Sequence, residues 1–576
     1  MKSWLYQTGV RNKTDSFFDR RSELIQLFVL MVMVGTVALF YLSPFPQEFP
    51  MDDTYIHFVY AENLAEGRGL YFSFPEEQGV GTTSISWVAI LAVGHRLGLS
   101  MLLLAKCLGL ITLLVTSIGV FLLLKPLLDP RLAWVGALLV GLSGNMLWFA
   151  LSGMETMLFV ALGVLALLAY RHQQWPLMGI LLGCLTLTRP EGIILAGAVG
   201  ILELLRGRRI TRGLLITGGV CALLASPWYG YLFLRTGHLL PTSAVGKQFT
   251  YQVGMQFVFD AIPGINWLGK VPALVYLGSW VIYLLEFTLG GMSLPAPHVP
   301  LASFAEDLTY SVSLWAIGSW GIALFLIVAG ARRILRPAHW HAWLQDPERR
   351  PWLLFLLWIG LHNLVFMIWM PVPGTASRYG AINHVGLWLT IVAGLATLRD
   401  RRVLFPILLS CVLLIAGVNT FYWDGVYEAN LEHMRAVRMA AAEYVRTELP
   451  PNSRCAASDV GAIRYFSQAP IIDMGALVNP DVDRWFLEGE SDEYLLENGA
   501  TCLVVPGRAN ESGEGWFDII DIMGLSESPL LSLEQQAAFE IEHERWLLGY
   551  LPTNNYQASV VIYNVVPCEP TCTDEP

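Results

Sequence analysis

Long apolar segments separated by short polar loops run through the first 420 residues of the chain. They fall at residues 24–43, 84–97, 101–123, 132–150, 157–170, 176–187, 191–205, 213–233, 272–290, 308–330, 352–370, 382–398 and 402–420. A helix needs about 20 apolar residues to cross the hydrocarbon core of a bilayer, and many of these segments approach that length. The pattern predicts a polytopic α-helical membrane domain of about 11–13 helices at residues 1–420.

The pattern changes at residue 421, where the apolar runs become shorter. Residues 428–448 alternate apolar and charged positions at helical spacing, and Pro450 and Pro451 end that helix. Short apolar strands follow at residues 454–458, 470–473, 501–506 and 558–566, with helical stretches between them. The sequence therefore predicts a small soluble α/β domain at residues 421–576, called the C-terminal domain below.

Composition and charge support this division. Of the 576 residues, 54% are apolar and 14% are charged, with a mean hydropathy of +0.50, whereas ordinary soluble domains contain about 25% charged residues. The chain has a net charge of −11, and Asp and Glu outnumber Lys and Arg most strongly in the C-terminal domain. This acidic balance argues against nucleic acid as a partner. No internal repeat is visible, which argues against the inverted-repeat architecture of many transporters.

The basic residues predict the orientation of the chain in the membrane. Five of them precede the first apolar segment: Lys2, Arg11, Lys13, Arg20 and Arg21. By the positive-inside rule, the N-terminus is cytoplasmic and the first helix remains as an anchor. If residues 84–97 and 272–290 do not cross the membrane, the later basic loops also lie inside. The C-terminal domain and the main polar clusters then share the extracytoplasmic side of a cell inner (plasma) membrane.

The first external loop, residues 44–83, carries two adjacent carboxylates at the mouth of a membrane helix. Asp52 and Asp53 are costly to hold near hydrocarbon, which favours chemistry over packing. They are candidates for a general base, for a metal site or, for one of them, for the N-cap of the next helix. That helix is predicted to be amphipathic and to lie along the membrane surface. His57, one turn further on, either shares the site or is incidental.

Five further charged residues lie in external loops beside apolar segments. Glu155 is either a solvated loop residue or part of a site. Arg189 and Glu191 flank a proline at a helix break, where they form a structural ion pair or, alternatively, Arg189 faces a phosphate and Glu191 holds it. Lys247 and Arg378 are either snorkelling interfacial residues or cations that bind an anion.

Six short motifs contain or surround these residues. They are Asp52-Asp53-Thr54-Tyr55-Ile56, Val59-Tyr60-Ala61-Glu62-Asn63-Leu64, Thr83-Ser84-Ile85-Ser86-Trp87, Ser152-Gly153-Met154-Glu155-Thr156, Thr188-Arg189-Pro190-Glu191-Gly192 and Leu240-Pro241-Thr242-Ser243 with Lys247. In this order they resemble the GT-C superfamily of integral membrane glycosyltransferases, which use polyprenyl-phosphate sugars. The resemblance is closest to the bacterial branch with arabinofuranosyltransferases. Protein O-mannosyltransferases and the lipid A aminoarabinose transferase are more remote.

The resemblance implies a transfer reaction outside the cytoplasm. The donor would be a polyprenyl-phosphate-linked sugar held at the lipid bilayer, and the acceptor a cell-envelope glycan, lipid or protein. Asp52 or Asp53 would deprotonate the acceptor hydroxyl, which attacks the anomeric carbon with inversion. Arg189, Lys247 and Arg378 would hold the departing phosphate.

The resemblance also implies roles for the remaining polar residues. Glu155 would orient the acceptor or, together with Asp52 and Asp53, bind a divalent cation. His57 and Glu191 are expected to support the site, as is Tyr379, which directly follows Arg378. The C-terminal domain carries no catalytic constellation of its own and is expected to bind the acceptor or to shield the cavity.

Three departures from the family pattern leave alternatives open. Val59 stands where the family has arginine, Gly79-Val80-Gly81 replaces Val-Glu-Gly, and Thr242-Ser243 replaces Asn-Thr. The first two lie in the first external loop, so the resemblance does not specify the donor sugar or the acceptor. One alternative is a transporter or flippase for a lipid-linked solute. The other is a catalytically inactive GT-C-like scaffold.

The cysteines of the C-terminal domain bear on its compartment. Cys455 and Cys502 fall on neighbouring predicted strands, and Cys568 and Cys572 lie near the end of the chain. An oxidising compartment would permit disulfides between them, but free thiols fit the sequence equally well.

Overall fold

The computed structural model describes residues 13–43, 48–244, 246, 271–290, 298–305, 308–334, 337–370, 374–479, 485, 488–506, 519–541 and 559–568. The helices of the first part are α1 (Lys13–Leu42), α2 (Asp52–Ala65), α3 (Ile85–Arg96), α4 (Met101–Leu124), α5 (Pro130–Gly141), α6 (Gly144–Leu151), α7 (Thr156–Arg171), α8 (Trp175–Thr188), α9 (Gly192–Gly207), α10 (Arg212–Thr236), α11 (Pro272–Leu289), α12 (Leu314–Ile334), α13 (Pro337–Gln345), α14 (Arg350–Trp369), α15 (Ala381–Thr397) and α16 (Leu404–His433). An antiparallel hairpin of β1 (His298–Ala305) and β2 (Leu308–Ser313) precedes α12.

Among the described residues, seven helical segments are long and apolar enough to cross a membrane. They are Ser22–Leu42, Met101–Leu124, Arg212–Thr236, Leu314–Arg332, Arg350–Trp369, Thr375–Thr397 and Leu404–Thr447. The pair α5 and α6, bent by 52°, is an eighth candidate. α3, in the predicted segment 84–97, has 12 residues and is too short to cross alone. The predicted fold class, a polytopic helical membrane protein with a small C-terminal α/β domain, is confirmed.

α2 differs from its prediction as an amphipathic surface helix. It begins at Asp52 with two carboxylates in its first turn, where they suit the positive end of the helix dipole. Ten of its 14 residues are buried, because the C-terminal domain covers the side that would otherwise face water. The ring of Tyr55 packs against those of Tyr465 and Phe466, with centroid distances of 5.5 and 4.8 Å. The prediction of a solvated polar face is therefore wrong, and α2 is covered by the C-terminal domain.

α16 connects the membrane helices to the C-terminal domain without a break. It continues through one wider helical turn at Met434–Met439 into α17 (Ala440–Thr447). The domain boundary predicted between residues 420 and 421 thus falls inside a continuous helix. This connection is stiffer than a loop would be, and it limits where the C-terminal domain can sit.

The C-terminal domain is built around a five-stranded sheet. Its elements are β3 (Cys455–Ala457), α18 (Gly461–Ser467), β4 (Ile471–Asp473), α19 (Ser491–Glu497), β5 (Cys502–Pro506), α20 (Ile519–Ile522), β6 (Leu531–Glu540) and β7 (Ser559–Pro567). The strand order is β4-β3-β5-β7-β6, with β3, β4 and β5 parallel and β7 antiparallel to its neighbours. Apolar runs predict all of these strands except β6. That strand is largely polar and partly exposed, as suits a sheet edge.

A disulfide joins two central strands of this sheet. Cys455 and Cys502 are register partners on β3 and β5, with their Cα atoms 4.5 Å apart. Cys568 is also disulfide-bonded, whereas Cys572 lies outside the described residues. For Cys455 and Cys502, the sequence alternatives are therefore resolved in favour of a disulfide.

Removing this disulfide by the double substitution Cys455→Ala and Cys502→Ala is expected to destabilise the C-terminal domain. The cross-link closes a long loop, and losing it should cost about 2–4 kcal/mol. Urea unfolding followed by hydrogen exchange of the β3 and β5 amides measures the effect. Cys107→Ala, at an exposed free cysteine, is the matched control. Equal unfolding midpoints for the double variant and the control would contradict the expectation.

Candidate active site

A cavity of about 240 Å³ lies where α2, the loops after α6 and α8, the end of α14 and the turn before α15 meet. Its charged and aromatic polar lining comes from widely separated segments: Asp53, His57, Glu155, Arg189, Glu191, Arg378 and Tyr379. Each of these residues is also a candidate site residue from the sequence. The fold brings all seven to one cavity.

The two adjacent aspartates face different sides of α2. Asp53 lines the cavity. Asp52 does not, and its carboxylate instead accepts hydrogen bonds from the backbone N–H groups of Gly461 and Ala462, at 2.8 and 2.7 Å. Lys247, the remaining predicted site residue, lies outside the described residues. Of the two aspartates, Asp53 has the geometry expected of a reactive group.

Asp53 forms an ion pair with Arg378, which lies more than 300 residues further along the chain. Ala376 and Ser377, just before Arg378, have φ angles of 55° and 60°. This left-handed conformation is costly for residues other than glycine and is often found at functional sites. Nη1 of Arg378 also donates to the sulfur of Met51 at 3.2 Å. The strained turn thus directs a buried guanidinium at the start of α2.

Tyr379 lies between two arginines. The guanidinium carbons of Arg189 and Arg378 lie 5.0 and 5.3 Å from its ring centroid, within cation–π range. Nε2 of His362 lies 2.7 Å from the backbone carbonyl of Tyr379, which fixes the same turn to α14. The aromatic ring therefore contributes a favourable contact to both guanidinium groups.

Glu155 is fully buried in a second ionic group. Nη1 of Arg189 donates to one of its oxygens at 2.8 Å, and Nε2 of His57 lies 3.4 Å from the other. Nε of Arg189 donates to Glu191 at 2.5 Å, so one guanidinium is shared by two carboxylates. Burial alone would raise the pKa of Glu155, but the contacts with His57 and Arg189 outweigh burial and lower the pKa to about 2. Glu155 is therefore ionised at neutral pH.

A glycine explains how the loop before α7 presents Glu155. Gly153 has a φ of +78°, and a Cβ at this position would lie 2.4 Å from Thr54 and 2.6 Å from Phe49. Only glycine fits both the conformation and the space. Oγ1 of Thr54 donates to the carbonyl of Ser152 at 2.6 Å, which ties the loop to α2.

The carboxylates do not fit a divalent-cation site. Among the described residues, no group of three or more His, Cys, Asp and Glu side chains is placed to hold a metal. The predicted trio of Asp52, Asp53 and Glu155 is divided among three sets of partners: backbone N–H groups, Arg378, and Arg189 with His57. The metal alternative raised for these three residues is not supported by their geometry.

One side of the cavity is lined by apolar side chains that are also exposed at the protein surface. Ile193 at the start of α9 and Val365 in α14 both line the cavity and are 56% and 39% exposed. No sequence pattern distinguishes these two residues, because apolar side chains are common throughout membrane helices. Sequence analysis also misses Leu477, which reaches the cavity from the C-terminal domain.

Val59 and Val80 stand where the family has charged residues, but neither lines the described cavity. Val59 is buried beneath the C-terminal domain and does not line the cavity. Val80 is also buried, and its N–H donates to Oγ1 of Thr242 at 3.1 Å. Ser243 does line the cavity, so one of the departures contributes to its shape, and Gly81, which matches the family's glycine, lines it as well.

Comparison with known proteins identifies the fold. No curated protein matches the sequence, and a model described as a domain of unknown function (DUF8728) matches residues 424–564. The apo oligosaccharyltransferase of Archaeoglobus fulgidus is similar with a TM-score of 0.53 and 14% identity, over 96% of this chain and 77% of that chain. The chain has a GT-C fold. The fold implied by the ordered motifs is confirmed.

Two further solved structures resemble the chain less closely. The archaeal oligosaccharyltransferase AglB from Archaeoglobus fulgidus, in complex with an inhibitory peptide and a dolichol-phosphate, has a TM-score of 0.49 at 14% identity, covering 83% of this chain and 69% of that chain. ArnT from Cupriavidus metallidurans bound to undecaprenyl phosphate has a TM-score of 0.40 at 13% identity, covering 94% and 98%.

The lowered pKa of Glu155 predicts how stability depends on pH. A carboxyl whose pKa is lower in the folded state stabilises that state above its ordinary pKa, and this contribution is lost as the pH falls towards 2. Glu155→Gln should therefore cost about 2–4 kcal/mol at pH 7, and the deficit should shrink at pH 3. Thermal unfolding of the detergent-solubilised protein at both pH values measures it. Glu443→Gln, at a fully exposed site, is the control, and a pH-independent deficit would contradict the prediction.

Proposed function

We propose that this chain is a membrane glycosyltransferase that moves a sugar from a polyprenyl-phosphate donor to an extracytoplasmic acceptor. The observation that carries the proposal is the contact between Asp53 and Arg378 in a cavity with an apolar side lined by exposed side chains. Such a transfer needs a base for the acceptor, a cation for the leaving phosphate and an apolar surface for the lipid. The similar Archaeoglobus fulgidus protein is an oligosaccharyltransferase, so the fold is compatible with saccharide transfer.

Asp53 is the proposed general base. It takes the proton of the acceptor hydroxyl as the acceptor oxygen forms a bond to the anomeric carbon. The bond from that carbon to the phosphate oxygen breaks at the same time, and its electron pair leaves with polyprenyl phosphate. Because attack and departure occur on opposite faces of the sugar, the configuration inverts.

Arg378 couples donor binding to the activation of this base. In the resting state its guanidinium is paired with Asp53. A donor phosphate competes for the same guanidinium, because charge-assisted hydrogen bonds to phosphate are strong in a partly buried site. Partial release of Asp53 from the pair then raises its proton affinity when the donor is in place.

Arg189 is better suited to orienting the site than to neutralising the phosphate. Its charge is already shared by Glu155 and Glu191 at 2.8 and 2.5 Å. Together with His57, these groups form an ionic network in the cavity that Asp53 also lines. In the proposal they position the acceptor and Tyr379, while Lys247 stays a predicted phosphate contact.

The proposed compartment is the extracytoplasmic side of the inner (plasma) membrane. The disulfide between Cys455 and Cys502 is typical of an oxidising compartment. The basic residues before α1 favour a cytoplasmic N-terminus. A lipid-carried donor fits this location, because nucleotide sugars are not available there.

Asp53→Asn is expected to lower sugar transfer by about 10²–10⁴-fold, because it removes the proton acceptor. Binding of polyprenyl phosphate should persist, since Arg378 is then free of its carboxylate partner. The assay uses proteoliposomes and a panel of polyprenyl-phosphate sugars, and the product is measured by mass spectrometry. Glu66→Gln, at the exposed end of the same helix, is the control. Undiminished transfer by the Asp53 variant would exclude the proposed base.

Arg378→Gln is expected to weaken binding of polyprenyl phosphate by about 10-fold or more, because a charge-assisted contact is lost. Binding of the corresponding polyprenol should stay unchanged, because the apolar wall is intact. Native mass spectrometry with the two lipids at equal chain length compares them directly. Arg68→Gln, at an exposed ion pair, is the control. An equal loss for both lipids would assign Arg378 to packing rather than to the phosphate.

A further inference from the structure

Asp52 joins α2 to the C-terminal domain through hydrogen bonds. Its two carboxylate oxygens accept hydrogen bonds from Gly461 and Ala462, one each, at the turn that begins α18. A Cβ at Gly461 would lie only 2.2 Å from the backbone oxygen of Asp52 and 2.7 Å from its carboxylate. The contact is therefore specific to a carboxylate on one side and to a glycine on the other.

A second ionic contact holds the same turn from the opposite side. Nη2 of Arg438 donates to Asp459 at 2.6 Å, and its Nη1 lies 3.2 Å from Nδ1 of His433. Arg438 belongs to the wide helical turn after α16. The start of α18 is thus held between the helix that leaves the membrane and the helix that carries Asp53.

The chain continues from this turn through α18 and β4 to a loop that lines the cavity. Asp473, at the end of β4, accepts hydrogen bonds from the N–H groups of Gly475 and Val478 at 2.8 and 2.7 Å, which shapes the loop between them. The carbonyl of Val478 accepts from Gly79 at 2.9 Å. Leu477 of this loop lines the cavity, so the placement of the C-terminal domain determines one cavity wall.

We propose that Asp52 is a positioning residue for the transfer reaction, which holds the C-terminal domain so that Leu477 and Asp53 keep a fixed separation across the cavity. The inference rests on the proposed function, because it assigns Asp52 a role in that same reaction. Asp52 touches neither substrate nor the reacting atoms. It acts by holding the two walls of the cavity together.

The charge environment of Asp52 indicates that this residue orients the C-terminal domain rather than adding to the stability of the fold. Burial raises its pKa to about 7, the neighbouring Asp459 adds to the rise, and Arg438 opposes it. A carboxyl with a raised pKa is less favourable in its ionised form than it would be in water. Buried charges of this kind are often neutral or costly for stability and instead select one arrangement. The ionised group is compensated by the Gly461 and Ala462 N–H groups only when the domain is in this position.

The contact between Asp52 and the start of α18 is disrupted in two separate variants, one at each partner. Asp52→Asn replaces one acceptor oxygen with an NH₂ group that faces a backbone N–H. Gly461→Ala keeps the carboxylate but introduces a Cβ where there is no space. Gly425→Ala in α16, where an added Cβ meets nothing within 4 Å, is the matched control.

Three measurements are made on the full chain: hydrogen exchange, transfer kinetics and binding of polyprenyl phosphate. Both contact variants should exchange the amides of residues 459–466 and 474–479 about 10-fold faster, because the interface opens more often. Both should lower kcat by about 10-fold through misplacement of the cavity wall, while binding of polyprenyl phosphate stays unchanged. The control should match the wild type in every measurement.

Three outcomes would overturn the inference. The first is loss of transfer in Asp52→Asn with wild-type exchange and full activity in Gly461→Ala, which would make Asp52 a chemical participant. The second is faster exchange in both variants with wild-type kcat. The third is wild-type exchange in both variants. If the wild type transfers no sugar from any donor, the proposed function fails, and the exchange data still show whether Asp52 holds the domain.

Discussion

Two largely buried ion pairs, Asp53 with Arg378 and Glu155 with Arg189, connect the parts of the chain that form the cavity, and of the four groups only Asp53 is partly exposed. Moving a charge out of water costs several kcal/mol unless an opposite charge meets it in good geometry. The partners here are separated by 325 and 34 residues. Each of these four groups is therefore acceptable only when the helices around it have assembled correctly. The positions of α2, the loop before α7, the break after α8 and the turn before α15 depend on one another.

The same pairing gives the site a particular resting state. The charges that chemistry would use are neutralised by one another before any substrate arrives. In the proposed reaction, an anionic donor competes with a carboxylate for its arginine, which would link donor binding to release of the proposed base. The ring of Tyr379 lies within cation–π range of both arginines.

The C-terminal domain belongs to the cavity structurally, although its sequence contains no catalytic motif. It is carried by a helix that leaves the membrane without interruption, and it covers α2 with the rings of Tyr465 and Phe466. Its loop after β4 supplies Leu477 to the cavity. The buried state of α2 follows from this cover, because a helix with apolar residues on nearly every face needs protein on both sides.

Much of this arrangement is readable in the sequence, because it is determined by local properties. Segment length and hydropathy predict the membrane helices, and short apolar runs predict four of the five strands of the C-terminal sheet. The polar residues singled out in the predicted external loops include seven that line the cavity, four of them within the ordered motifs. The choice between Asp52 and Asp53 was decided only by tertiary structure. Neighbouring residues on a helix point about 100° apart, and both are carboxylates at the same helix end. Which direction is inward depends on where Arg378 and the C-terminal domain are packed, and no pattern within α2 contains that information.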